Sequence, residues 1–276
     1  VQNNTTFEED IRGTRISNGV IKYKYSKDPE GITTLESREE IQKIINLLER
    51  KENFAISRYG DGELGILMNI EVPQTKGGVS FFPQNKTHQK FRSLIQDSIK
   101  HSQKNYIKGV PCGCCWTHPT LVQAALNMVT NDEITLANVF MNGNSKRIPE
   151  VVKLLEGRNI ILTCNWNAAA VQNPRVPLNI RYCFRAKGNS LENMHLIQEI
   201  SDFIEKHKLK NYVFLFCAGP LSNVLVQKLF QKYPDNTYID IGSVFDPMFY
   251  GRTTRWYQEK GNPFGEKFCK LKFAKE

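Results

Sequence analysis

Residues 212–217 read Tyr-Val-Phe-Leu-Phe-Cys, six positions with no charge and no polar alternation. A strand with one wet face alternates apolar and polar side chains. A continuous apolar run of this length belongs to a strand covered on both faces. The run stops at Gly219-Pro220, and Leu221, Val224, Leu225 and Leu229 then recur at helical spacing. Residues 159–164 form a second run of this kind. Residues 237–241 form a further strand, interrupted by Asp240 and ending at Gly242-Ser243. Further strands are predicted at 105–110, 134–140 and 180–184. Strands of this type separated by amphipathic helices predict an α/β fold, with a mostly parallel sheet and helices on both faces.

The helices follow from their apolar spacing. Ile41, Ile44, Ile45 and Leu48 define a helix over 37–51, and Ser37 with Glu40 makes a capping-box pattern at its start. Other helices are predicted at 61–69, 86–101, from Pro119 onward with Leu121, Ala124, Ala125 and Met128 on one face, 146–155, and 189–206 with Ile197, Ile200 and Ile204 inward. Pro73, Gly77, Gly78 and Pro83 mark a loop over 71–85, read equally as a lid, an acceptor wall or a plain excursion. Residues 1–34 are polar and irregular, with a short strand at 20–25. They read as an N-terminal arm packed on a single domain spanning 35–276.

One stretch carries most of the candidate chemistry. Residues 54–56 form a short apolar strand that runs through Ser57, Arg58 and Tyr59 into Gly60-Asp61-Gly62-Glu63. Two glycines let the backbone turn sharply and approach a ligand. The end of a strand in an open α/β sheet is where such folds build sites. Asp61 and Glu63 are hard oxygen ligands suited to Mg²⁺ or Mn²⁺ held largely by a substrate's phosphates. Arg58 adds a permanent cation suited to phosphate. The alternative is purely structural: Asp-Gly as a turn, and Glu63 favouring a helix start.

Later segments add candidates. Gly219 and Ser222 lie where a strand turns into a helix N-terminus, a geometry that suits phosphate, although a tight turn explains Gly219 equally well. Neither a dinucleotide fingerprint nor a Walker A loop is present. Asn165-Trp166-Asn167 puts amides and an indole at a strand end, to stack on a base or sugar or simply to pack. Asp240 and Asp246 flank the turn after 237–241, and Arg252 and Arg255 follow. Basic and aromatic residues then mingle to Lys275. That tail closes over a donor, touches a membrane surface, or is solvated.

The net charge of the 276-residue chain is +9, which favours anionic partners without choosing among them. Apolar residues make up 40% of the chain, enough for a sizeable core. Seven cysteines occur, an odd number at irregular spacing, and point to a reducing compartment rather than a disulfide framework. Cys112-Gly113-Cys114-Cys115, with His118 near, suggests zinc. No second Cys or His pair stands at finger spacing, so a packed cluster is the favoured reading. No apolar run reaches the ~18 residues of a membrane span, and the first ten residues carry no secretory signal. A cytoplasmic protein, with peripheral membrane contact open to it, is expected. The chain begins with Val rather than Met, leaving room for an upstream signal or anchor.

Arg58 to Leu64, reading Arg-Tyr-Gly-Asp-Gly-Glu-Leu, resembles the signature of the GT-D glycosyltransferases, formerly a domain of unknown function. A second block is similar to the C-terminal part of GT-D-like proteins. It comprises Cys217-Ala218-Gly219-Pro220-Leu221-Ser222, then residues 238–247, then Gly251-Arg252-Thr253-Thr254-Arg255. The resemblance implies a Rossmann-like sheet of GT-D type. It also implies a nucleotide diphosphate sugar donor, a UDP-sugar, and a glycan, glycoprotein or lipid-linked acceptor. Within it, Asp61 and Glu63 correspond to the Asp-x-Glu metal motif, with Mn²⁺ or Mg²⁺ as cofactor. Arg58, Gly60, Gly219, Ser222, Arg252 and Arg255 are assigned to the donor. Asp246, with Asp240 as alternative, is assigned as the base that an inverting transfer needs. Two rivals stand beside this reading. One is a metal-dependent phosphoesterase or nuclease, which usually needs more ligands, often His; the five His here are scattered. The other is a nucleic-acid-binding module, for which no recognised motif is present, so no nucleic acid is expected.

Overall fold

The computed structural model describes residues 23–25, 33–73, 79–115, 119–129, 133–165, 177–255, 258–259 and 261–275. In chain order its elements are β1 (Tyr23–Tyr25), β2 (Thr33–Glu36), α1 (Ser37–Glu49), β3 (Ala55–Arg58), α2 (Asp61–Leu67), α3 (Lys86–Lys100) and β4 (Tyr106–Val110). There follow α4 (Pro119–Met128), β5 (Ile134–Leu136), α5 (Ile148–Leu155), β6 (Ile160–Cys164), β7 (Ile180–Arg185) and α6 (Leu196–His207). The last are β8 (Val213–Cys217), α7 (Leu221–Lys232), β9 (Thr237–Asp240), α8 (Asp246–Tyr250) and β10 (Lys270–Lys275).

Seven strands make one sheet in the order β5-β4-β3-β9-β8-β6-β7, and every neighbouring pair is parallel. From β3 the chain steps outward through β4 to β5. It then crosses to the other half and works back through β8 to β9, which pairs with β3. The first and last strands of this sheet are therefore neighbours at its centre, and the helices that follow them, α2 and α8, pack on opposite faces of it. A crevice opens at such a switch point, outside the carboxyl ends of the strands.

The strands sort their side chains to two cores. Phe214, Phe216 and Tyr238 pack with α2, α3, α4, α6 and α7 on one face. Ile56, Leu215 and Ile239 pack with α1, α5 and α8 on the other. Covering on both faces explains why residues 213–217 need no polar alternation; all five are buried. A second sheet, β1-β10-β2, is antiparallel and joins the described N-terminal strands to the C-terminal one.

Three local expectations are corrected. The capping box at Ser37 and Glu40 does not form: Glu36 is the N-cap and gives no side-chain cap. Ser37 Oγ instead accepts the Cys269 N–H at 2.9 Å, and Glu40 pairs with Lys43. Neighbouring β10 thus claims the hydroxyl that local pattern assigns to the helix. The strand expected over 134–140 stops at Leu136, because Val139 and Met141 N–H groups turn back onto Leu136 and Asn138 carbonyls. The helix expected over 189–206 begins as a 3₁₀ turn at Ser190–Glu192 and becomes α-helical only from Leu196.

Leu215 is fully buried in the central part of the sheet. Leu215→Ala should lower unfolding free energy by about 2–5 kcal/mol through lost burial and the cavity left behind. Ile70, 41% exposed, should lose under about 0.5 kcal/mol on change to Ala. Urea denaturation of the two variants measures both.

Candidate functional site

Arg58 closes β3 and is buried, so its charge needs partners. Its Nε donates to the Asp240 carbonyl at 2.7 Å, and its Nη2 faces Asp240 Oδ1 at 3.4 Å. Its main-chain N–H reaches Asp240 Oδ2 at 3.3 Å, and Nη1 donates to the Ala137 carbonyl at 3.2 Å. Asp240 Oδ1 also accepts the Gly242 N–H at 3.1 Å. Gly242 adopts φ +52°, and a Cβ there would sit 2.4 Å from Arg58 Nη2, so both conformation and space favour glycine. From the helix side, Asn223 Nδ2 donates to the Arg58 carbonyl at 2.8 Å and to Ser57 Oγ at 3.0 Å. Arg58 and Asp240 are thus committed to each other. Burial pushes the Asp240 carboxyl up and the Arg58 guanidinium pulls it back, with burial the larger influence.

Past Arg58 the chain turns outward. Tyr59 points into the core, its hydroxyl 2.9 Å from Ser98 Oγ. Gly60 is the N-cap of α2, and its N–H donates to Glu63 Oε2 at 3.0 Å. This is one half of a capping box; the reciprocal half needs a side-chain oxygen that glycine lacks. Glu63 is only partly exposed. Burial, then the nearby Asp240 and Asp61 carboxylates, push its carboxyl up to about 7. Asp61 is exposed, and its Oδ1 accepts the Gly62 N–H at 3.0 Å.

The turn after β9 carries the second group of carboxylates. Asp246 starts α8 and is buried. Its Oδ2 accepts the Thr254 hydroxyl, while Oδ1 meets no hydrogen-bond donor among the described residues. Burial raises its carboxyl to about 6, against the pull of Thr254 and Arg255. Beside this turn opens a cleft of ≈ 570 Å³ lined by α5 residues, Phe140, Val244, Phe245, Pro247 and Met248. Asp61, Glu63, Gly219 and Ser222 do not line it. It is largely apolar and flanks the carboxylate turn rather than enclosing it.

The remaining expected site residues divide. Gly219 adopts φ +56° at the β8–α7 turn. Ser222 is fully buried, and its Oγ accepts the Ala218 N–H at 3.1 Å. The hydroxyl thus shapes the turn between β8 and α7. Arg252 and Arg255 are exposed. Trp166, Asn167, His118, Trp256, Tyr257 and residues 74–78 of the expected loop lie outside the described residues.

No family model and no curated protein matches the chain at the level of sequence. Three-dimensional comparison is more informative. A Streptococcus sanguinis structure described as a new glycosyltransferase (DUF1792) superposes with a TM-score of 0.56 at 14% identity, over 82% of this chain and 90% of its own. A structure of the domain of unknown function 1792, described as having a distinct glycosyltransferase fold, gives 0.54 at 16% identity over 82% and 87%. A selenomethionine-substituted structure of that domain gives the same values. The chain has that fold. At 14–16% identity the likeness is one of architecture, and it bears out the GT-D type of sheet expected from residues 58–64 and 217–255.

Two residues that matter to the geometry escaped the sequence reading. Asn223 looked like an ordinary polar position on an amphipathic helix, yet it is fully buried and holds the end of β3. Ala137 contributes only a carbonyl, which no side-chain pattern reveals. The donor set itself fits a hard divalent ion. Among the described residues, no three oxygen or nitrogen ligands converge on one point around Asp61 and Glu63. The protein therefore offers one or two carboxylates, as it does for ions completed by phosphate and water. Burial first, and then the Asp240 and Asp61 carboxylates, raise Glu63, and a cation would relieve the part owed to charge.

Asp240→Asn keeps the shape of the side chain but leaves Arg58 without its counter-charge. We expect a loss of about 3–5 kcal/mol in unfolding free energy, partly recovered when Arg58→Met is added. A double-mutant cycle by urea denaturation reads this. The metal-free protein also carries a pH signature. Glu63 is raised from 4.5 to about 7, so the folded state holds its proton more tightly than the unfolded one. The stability this confers is present below about 4.5 and lost as pH rises through about 7. The melting temperature of Glu63→Gln relative to wild type should therefore climb across that window in chelator-treated protein.

Proposed function

We propose that this chain is a metal-dependent glycosyltransferase. It would move a sugar from a nucleotide diphosphate sugar, a UDP-sugar, to a hydroxyl of a glycan, glycoprotein or lipid-linked acceptor. The observation that carries this reading is the fold shared with structures described as glycosyltransferases. The carboxylate turn of residues 60–63 stands at the switch point of that fold. Chemistry at the anomeric carbon breaks its bond to a phosphate oxygen, and negative charge gathers on the departing diphosphate. A divalent cation, Mn²⁺ or Mg²⁺, supplies charge stabilisation for that leaving group. Asp61, exposed, and Glu63, partly buried and fixed by Gly60, are the residues to hold it.

Arg58 acts at one remove. Its guanidinium is committed to Asp240 and Ala137, so it positions the β3 end instead of reaching phosphate. Exposed Arg252 and Arg255 are better placed to meet a diphosphate. Asp246 suits a general base for an inverting transfer: raised to about 6, it is ionised near neutral pH yet still basic enough to take an acceptor proton. Its Oδ1, buried and without a donor among the described residues, would be the atom to do so once the acceptor displaces what covers it. Asp240, locked to Arg58, is the poorer candidate.

A thermal-shift screen of nucleotide sugars with and without Mn²⁺ tests the class and the base together. Stabilisation is expected from UDP-sugars and only with metal. Asp61→Asn and Glu63→Gln keep the acceptors used by Gly62 and Gly60 and should fold normally. Each should reduce sugar transfer by about 10²-fold or more. Mn²⁺ affinity in wild type should rise from about pH 6 to 8, because Glu63 must shed its proton to bind. Full transfer by the double variant would refute the metal assignment.

A further inference from the structure

Four thiols from two distant parts of the chain meet at one point. Cys112, Cys114 and Cys115 lie in the turn after β4, and Cys269 immediately precedes β10. Their sulfurs all lie within 4.8 Å of one another. Cys112 and Cys114 Sγ are 3.2 Å apart, and Cys115 and Cys269 Sγ are 3.4 Å apart. All four are free cysteines. The sequence pattern favoured a packed cluster because no second Cys or His pair stands at finger spacing; Cys269, 154 residues beyond Cys115, is brought in by the fold.

We propose that these cysteines form a structural Cys₄ zinc site, independent of the transferase reading and of Asp61 and Glu63. Four thiolates around zinc at about 2.3 Å lie about 3.8 Å from one another, close to the spacing found. Cys112 and Cys115 stand two residues apart, and the Cys115 N–H closes the turn onto the Cys112 carbonyl at 3.3 Å. That is the usual spacing of a zinc-binding pair. Soft sulfur ligands select zinc over the hard ions that carboxylates prefer.

The surroundings are those of bound thiolates rather than of packed thiols. Asn142 Nδ2 donates to Cys269 Sγ at 3.1 Å and lies 3.4 Å from Cys115 Sγ. Asn138 Nδ2 faces Cys112 and Cys269 Sγ at 3.9 and 4.0 Å. Such amide donors orient metal-bound sulfur and offset its charge. Binding Zn²⁺ releases the four thiol protons and leaves a net charge of −2 on the centre; Lys267, whose Nζ donates to the Cys114 carbonyl at 3.2 Å, lies beside it. The site is closed on one side. Cys112 and Cys269 are buried, and a Cβ on Gly113 would fall 1.9 Å from the Tyr25 hydroxyl, so β1 lies directly over the turn. Cys114 and Cys115 are partly exposed and give the ion its way in. The ion would join the β1-β10-β2 sheet to the carboxyl end of β4.

The test uses the full chain purified under reducing conditions without chelator or polyhistidine tag. Elemental analysis should find about one zinc per chain. A mercurial thiol reagent should release it, and its removal should lower the melting temperature by several degrees. Cobalt added to the extracted protein should give the thiolate charge-transfer absorption of a tetrahedral sulfur site. Cys269→Ser should lose stoichiometric zinc. Should that variant fail to fold, Cys114→Ser, at a partly exposed position, serves the same purpose. Extracted protein whose seven thiols all titrate after denaturation, yet which takes up neither zinc nor cobalt when folded, overturns the proposal. So do iron–sulfur absorption, disulfides among these cysteines in protein from a reducing cytosol, or full zinc content in Cys269→Ser.

Discussion

The pairing of Arg58 with Asp240 is the constraint on which the centre of the molecule depends. Both groups are buried, at the ends of the first and last strands of the main sheet. A lone guanidinium there would be untenable. This one is met by a carboxylate and a carbonyl from β9 and by a carbonyl from the turn after β5. On general grounds a hydrophobic pair of the same volume would serve stability as well. What the ion pair adds is register. It fixes the end of β3 against the end of β9, and Asn223 clasps the same strand end from α7. The two turns that leave those ends, 59–63 and 241–246, inherit their positions from it.

The same pairing sets the electrostatics. Asp240 spends its charge on Arg58 and is held by three further N–H contacts, so it is unavailable as a ligand or base. Its field nevertheless reaches Glu63, which has a single main-chain donor and two carboxylate neighbours. Under the proposed function a proton and a divalent cation would therefore compete for Glu63. Asp246, separated from that competition, is perturbed chiefly by its own burial. Burial leads in raising both carboxyls, and only Glu63 also feels neighbouring carboxylates; the two would divide the labour of the proposed reaction in a way that Asp240 does not share.

Much of the fold was legible because burial leaves a pattern. The unalternated strands, the glycine stops and the helical spacings of Ile41 to Leu48 and Leu221 to Leu229 all appear as read. Residues 58–64 also end a strand and open a helix as read. What failed was whatever a distant partner decides. Ser37 suits a capping box until β10 supplies the Cys269 N–H. That Ser222 accepts the Ala218 N–H was equally invisible in the spacing. The strand over 134–140 has the right composition, but its Ala137 carbonyl is drawn off to Arg58. The cysteine triplet looks incomplete until the chain's end brings Cys269 to it. Sequence spacing carries local geometry; it carries no information about which remote group arrives.

Residues 137–147 tie these two regions together, and the strength of the tie can be argued. Ala137 accepts from Arg58, Asn138 and Asn142 face the thiols, and the Gly143 N–H donates to the Lys267 carbonyl at 2.9 Å. Asn144 Nδ2 bridges the Ser37 and Val139 carbonyls at 2.6 and 2.7 Å. The segment is thus pinned between the cysteine cluster and the Arg58 end of β3. Yet of the contacts that hold Arg58, two pass through it, the Ala137 carbonyl and the Phe140 ring 5.8 Å from the guanidinium; the bonds to Asp240 and Asn223 come from β9 and α7. Loosening the cysteine cluster should therefore weaken the join between the two sheets far more than it disturbs the carboxylates at the switch point. An ion bound there would act on the endurance of the fold, and the chemistry of the strand ends would remain with Arg58, Asp240 and the turn they hold.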